Sequence, residues 1–169
     1  MFKRILVPTD GSDRAEHSAR AAIELARFLD AAVVAVYVYP PFRIYPTEPF
    51  VAAPELISEK AYVAAQEKTA KRYLAVIEKA AREAGVRCTT DAVEHDSPAA
   101  AIVEAAGSPD APCDLIFIGS HGRGVVSQFF LGSVTTKVQA LCDIPVLVYR
   151  DPAKRKLIKK TTSTKKTKS

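Results

Sequence analysis

The stretch Ile5-Leu6-Val7-Pro8-Thr9-Asp10-Gly11-Ser12 decides the fold. A short apolar run gives way to four residues of turn chemistry, after which apolar residues recur at helical spacing through Ala19, Ala22, Ile23, Ala26 and Leu29. Strand, tight turn and helix follow one another directly. Ala32 to Val38 is then a continuous β-branched run, too apolar to face water on either side, which suits a strand buried within a parallel sheet.

Working outward, the alternation repeats. Residues 40 to 54 hold Pro40, Pro41, Pro46, Pro49 and Pro54 and predict a long loop. A helix is expected from about Glu55 to Ala84, with Gly85 ending it, and a strand from Val86 to Glu94. Ser97-Pro98 reads as an N-cap and first-turn proline opening a short helix through Ile102, Val103 and Ala106. Leu115 to Ile118 is another buried strand, Gly119 to Leu131 a glycine-containing loop, Ser133 to Leu141 a helix, and Ile144 to Tyr149 a last strand. Strands separated by helices call for a parallel sheet with right-handed crossovers and helices on both faces. The expected fold is a doubly wound, Rossmann-like α/β domain.

The 169 residues fit one domain over residues 1–150, and the Lys/Thr/Ser-rich segment 151–169 is expected to be a disordered basic tail. Eight Lys/Arg against one Asp give that segment +7 of the chain's +5, leaving residues 1–150 near −2. The domain itself is therefore no polycation. No stretch approaches the ~20 apolar residues that span a bilayer, and a cytoplasmic location is expected. Cys88, Cys113 and Cys142 lack zinc or Cys-x-x-Cys spacing and are expected to be reduced, mostly buried thiols.

In open α/β sheets ligands bind beyond the strand carboxyl ends, where the strand order reverses. Two clusters lie at such ends. Asp10 follows the first strand, and Gly119-Ser120-His121-Gly122-Arg123-Gly124 follows the fourth; a flavodoxin-like strand order would turn both into one crevice. The loop closes at Gly132-Ser133, where a helix continues Val134-Thr135-Thr136. Glycines let backbone N–H groups approach phosphate oxygens, and the helix start adds unpaired donors, a positive dipole end and the hydroxyls of Ser133 and Thr135. A surface loop with a serine N-cap is the alternative reading of the same residues.

The spacing Gly119-x2-Gly122-x9-Gly132-Ser133, followed by Ile144-Pro145-Val146-Leu147-Val148, resembles the ATP-binding signature of the universal stress protein family. Lys3 to Ser12 looks like that family's first strand and turn. The resemblance covers residues 2 to about 150 and implies binding of ATP with Mg2+, a five-stranded parallel sheet in the order 3-2-1-4-5 and a homodimer that pairs the last strands. Carried over by position, it puts Pro8, Thr9 and Asp10 at the nucleoside, with Asp10 on the ribose. Val38 would meet the adenine edge through its backbone, and Gly119 would lie under the sugar. Ser120, His121, Gly122, Arg123, Gly132, Ser133, Val134 and Thr135 would surround the phosphates.

The function this implies is a nucleotide-dependent regulatory module acting in a stress response through an unnamed protein partner, with slow or no hydrolysis, since no Walker lysine or catalytic aspartate loop is visible. An adenylating or ATP-hydrolysing enzyme of the adenine nucleotide α-hydrolase type is the alternative; Asp10-Gly11-Ser12 stands where that group carries a pyrophosphate loop. A third reading is a nucleic-acid binder acting through the basic tail by counterion release, although the tail has no aromatic residue for base stacking. His17 is expected to be solvated, His95-Asp96 to form a turn capped by Ser97, and Glu94 and Glu104 to be surface charges.

Overall fold

The computed structural model describes residues 1–43, 58–121 and 131–151. Its elements run β1 (Arg4–Thr9), α1 (Asp13–Leu29), β2 (Ala32–Tyr39), α2 (Glu59–Glu83), β3 (Cys88–Glu94), α3 (Pro98–Ala106), β4 (Leu115–Gly119), α4 (Ser133–Leu141) and β5 (Val146–Tyr149). All strand pairs are parallel and the order is β3-β2-β1-β4-β5. The expected doubly wound α/β fold is the observed one.

The period of two along the strands divides the interior into two cores. Ile5 and Val7 of β1, Val33, Ala35 and Tyr37 of β2, and Leu115 and Phe117 of β4 face α1 and α2. Leu6, Val36, Ile116 and Ile118 face α3 and α4, where Ala99, Ile102 and Val138 meet them. Because both faces are covered, the central strands read as unbroken apolar runs.

Helix ends account for the boundaries that differ from expectation. Ser58 caps α2, its side chain accepting from Ala61 N–H, so the helix starts at Glu59 rather than near Glu55. At the other end Gly85 takes φ +70 and Val86 N–H returns to the Ala81 carbonyl at 2.8 Å. Val86 is thereby spent on closing the helix, and β3 begins at Cys88. Likewise β5 begins at Val146 because Pro145 has no N–H to give the ladder; its carbonyl still accepts from Ile116 N–H at 3.0 Å. Residues 44–57, most of the proline-rich stretch, and 152–169, nearly all of the basic segment, lie outside the described residues.

The three thiols are free; Cys113 is buried, and Cys88 and Cys142 are half-buried. Among the described residues no helix is long and apolar enough to cross a membrane.

Candidate functional site

The strand order reverses between β1 and β4, so the crevice opens beyond Thr9 and Gly119. Three segments meet there: the β1–α1 turn, the end of β4, and the start of α4.

The turn is held by its own side chains. Thr9, buried, accepts Gly11 N–H on Oγ1 at 3.1 Å. Asp10 Oδ1 accepts both the Ser12 N–H (3.0 Å) and the Ser12 hydroxyl (2.6 Å), while Ser12 Oγ accepts Ala15 N–H (3.2 Å) as the N-cap of α1. Gly11 sits at φ +74, the left-handed conformation that disfavours a Cβ. Asp10 is half-buried at the crevice in a fixed orientation. Ser12 escaped the sequence-based list of site residues; the Asp-x-Ser pattern, an Asx-turn in which the acid bonds two residues on, is the signal that could have found it. Pro8, one step back in β1, is half-buried and in register with Val36.

Val38 lies next to this turn on β2. The Tyr39 carbonyl accepts from His95 N–H on the β3 side, and successive strand residues turn their backbone polar groups to opposite neighbours. The Val38 carbonyl therefore points to the β1 side, one residue beyond the last β1–β2 register pair, Thr9 with Tyr37.

At the end of β4, Ser120 N–H continues the pairing with β5 by donating to the Tyr149 carbonyl at 2.8 Å, and the Ser120 carbonyl accepts Gly132 N–H at 2.8 Å. That bond returns the far end of the loop to its start. The Thr135 hydroxyl donates to the Gly119 carbonyl (2.9 Å), which locks the first turn of α4 against β4, and the Thr136 hydroxyl donates to the Gly132 carbonyl (3.1 Å) within that turn. Thr135 is buried and its one hydroxyl proton is used on Gly119; donating to a phosphate would require releasing that bond. Ser133 is exposed and Val134 half-buried at the first two positions of α4.

Gly132 has φ −60 and ψ 150, which any residue can adopt. Close approach is the reason for glycine there: a Cβ would stand 3.3 Å from the Ser120 carbonyl oxygen and 3.5 Å from His121 Cα. At Gly119 a Cβ would meet Ser18 and the His121 carbonyl only at ordinary contact distances. His121 Nδ1 lies 3.0 Å from Ser120 Oγ, and its Nε2 is buried without a hydrogen-bond partner among the described residues. Gly122 and Arg123 lie outside the described residues.

The remaining histidines sit elsewhere. His95 Nδ1 accepts Ser97 N–H at 2.8 Å in the turn before α3, and Ser97 caps that helix as expected. His17 is half-exposed but is more than solvated, since its Nδ1 lies 3.0 Å from Asp151 Oδ2. A recess of about 630 Å³ runs beside His17, Arg27 and Tyr149. It reaches the end of β5 at Tyr149, the register partner of Gly119, and its charges pair locally, Arg20 with Glu16, Arg27 with Glu24 and His17 with Asp151. Among the described residues no group of three His, Cys, Asp or Glu could hold a metal ion.

Comparison with known proteins agrees with this geometry. Residues 1–150 match the model of the universal stress protein family. The universal stress protein MJ0531 of Methanocaldococcus jannaschii is 38% identical over 159 residues, covering 91% of this chain and 85% of that protein. A Thermus aquaticus universal stress protein is 36% identical, over 89% of this chain and 100% of its own length. Among solved structures, hypothetical protein MJ0577 superposes with a TM-score of 0.71 at 26% identity, covering 89% of this chain and 97% of that one. The universal stress protein from Archaeoglobus fulgidus, solved in complex with dAMP, gives 0.57 at 25% identity, covering 88% and 98%. By the family model, the relatives and the shared sheet order, this chain belongs to the universal stress protein family.

Proposed function

We propose that the protein is an ATP-binding regulatory module of the stress response, holding the nucleoside against the β1–α1 turn and Val38 and the triphosphate against the start of α4. One observation carries the reading. The β1 turn, the His121 ring and a helix start with no side-chain cap among the described residues converge at the point where the strand order reverses. A helix N-terminus offers unpaired N–H groups and a positive dipole end, and the tight Gly132 leaves the approach to them open. The dAMP complex of the Archaeoglobus relative supports an adenine nucleotide as the ligand class.

Mg2+ would enter with the phosphates, because this ion keeps several waters and needs only one or two protein groups beside them. Turnover is slow or absent in this reading. Asp10 Oδ1 already holds the Ser12 N–H and hydroxyl, and the sequence carries no Walker lysine or catalytic aspartate loop. Residues 1–150 make up the module, which acts in the cytoplasm as a homodimer through β5, an edge of the sheet, and is read by a protein partner.

Mass spectrometry of the ligand released from purified protein, with calorimetry of ATP against GTP, tests the proposal. ATP should bind well above GTP, since guanine presents the wrong edge to a backbone carbonyl at Val38. Equal affinity for the two would refute the adenine pocket.

A further inference from the structure

We infer that His95 is a specificity-determining residue for the nucleobase, donating its Nε2–H to the adenine ring nitrogen beside the amino group that the Val38 carbonyl accepts. The inference deepens the ATP-binding reading above and rests on it.

The position of His95 comes first. Val38 of β2 and Val93 of β3 are register partners, and both pack on the α3/α4 side of the sheet. The His95 N–H still holds to the ladder, donating to the Tyr39 carbonyl at 2.9 Å, so its side chain, two residues beyond Val93, leaves the sheet on that same side. The start of α4, where the phosphates would sit, packs there too through Val134. The state of the ring comes next. His95 Nδ1 accepts the Ser97 N–H at 2.8 Å and so carries no hydrogen, which puts the proton of the neutral imidazole on Nε2. The turn therefore presents a donor. That donor has no hydrogen-bond partner among the described residues, since Glu104 Oε1 stands 3.8 Å from Nε2, beyond hydrogen-bond reach. His95 is half-buried and Glu104 exposed. Arg43 fastens the same turn to the chain leaving β2 through Asp96, at 2.6 Å.

An acceptor at Val38 and a donor at His95 match an amino group flanked by an unprotonated ring nitrogen, a pattern that adenine offers with N1 on one edge and N7 on the other. Guanine has a carbonyl oxygen in place of that amino group. Calorimetry of the full-length parent, His95→Asn and His95→Ala with ATP, 1-deaza-ATP and 7-deaza-ATP reads the contact directly, because each analogue replaces one flanking nitrogen by C–H. The parent should bind one of the two about three- to tenfold more weakly than ATP, the worth of one neutral hydrogen bond. Asparagine keeps the turn, as its side-chain oxygen accepts the N–H two residues on, but its short amide falls short of the place of Nε2. His95→Asn should therefore melt as the parent does, bind the weaker analogue as the parent does, and bind ATP no better. His95→Ala should lose the same discrimination. Folded variants that keep the parent's preference, or a parent that binds ATP and both analogues equally, would overturn the inference while leaving ATP binding intact. A parent that binds none of the three would instead overturn the reading on which it rests.

Discussion

Gly132→Val is the substitution that most directly tests the phosphate site. The backbone at Gly132 is unstrained for any residue, so its cost comes from volume alone. A single Cβ would stand 3.3 Å from the Ser120 carbonyl oxygen, 3.5 Å from His121 Cα and 3.8 Å from Thr135 Oγ1. Two of these neighbours are backbone atoms that cannot rotate away. The methyl group of Gly132→Ala should fit after a shift of a few tenths of an ångström. The two further methyls of valine force β4's end and α4 apart, an overpacking cost of about 1–3 kcal/mol. For a domain of this size that lowers Tm by roughly 3–10 °C, leaving the protein folded. Affinity should suffer more. Displacing the loop by the width of a methyl spoils two or three charge-assisted hydrogen bonds to phosphate, each worth about 1.5–3 kcal/mol, so ATP binding should weaken by about a hundredfold or more. Calorimetry, thermal melts and light scattering on the parent and on both variants measure these effects. A folded Gly132→Val protein that binds ATP like the parent would refute a triphosphate held by this loop. If valine unfolds the chain, Ser133→Ala, which deletes one exposed hydroxyl, takes its place with an expected loss of about 1 kcal/mol in binding.

Ser12→Ala removes both the α1 cap and the partner of Asp10 Oδ1; thermal melts should show a stability loss of about 1 kcal/mol, and ATP affinity should fall with it. Light scattering should find a dimer that Leu147→Lys converts to monomer, since a charge on an exposed edge strand blocks pairing; a monomeric parent would remove the β5 interface. Deleting residues 154–169, a segment dominated by lysine, threonine and serine, should leave Tm and ATP affinity unchanged. Burial pushes the Cys88 thiol up to about 11, with Glu78 adding to the shift. The folded chain then keeps a proton that the unfolded chain releases, so stability should decline as pH rises from about 9 toward 11, and denaturation of Cys88→Ala should show a shallower decline.

Much of this fold can be read from the chain because its signals are local. The apolar runs at Ile5, Ala32 and Leu115 have no solvated face, so only a sheet covered on both sides suits them. Ser97-Pro98 and Gly85 are punctuation with a mechanism, and the structure uses them as such. What escaped depends on contacts between distant segments. Val86 looks like the start of a strand until its N–H is seen closing α2, and Ser58 is obscured by the prolines before it. Thr135 looks like a phosphate donor by its place in the motif, yet only the packed structure puts the Gly119 carbonyl within reach of its hydroxyl. The contact of the Tyr73 ring of α2 with Gly11 is equally hidden, since nothing in a helical sequence says that one ring rests on a glycine of another element.

The start of α4 shows how the fold and the site are joined. Helices α1, α2 and α3 each begin on a serine whose oxygen accepts a first-turn N–H, so the chain has the usual device at hand. At α4, one of the two helix starts beside the reversal point, it uses glycine, with no side-chain cap. A serine there would bring its Cβ against the Ser120 carbonyl and its oxygen into the approach to the helix N–H groups. Glycine at an N-cap costs only a few tenths of a kcal/mol relative to serine. That small deficit leaves donors for an outside acceptor, and a bound anion completes the helix as a serine oxygen would. Because Gly132 N–H and the Thr135 hydroxyl already tie this turn to Ser120 and Gly119, whatever completes the helix also fastens the end of β4. A nucleotide bound as proposed would therefore add to the contacts that hold this end of the sheet, and its binding should raise the protection of Gly119 and Ser120 amides in hydrogen exchange.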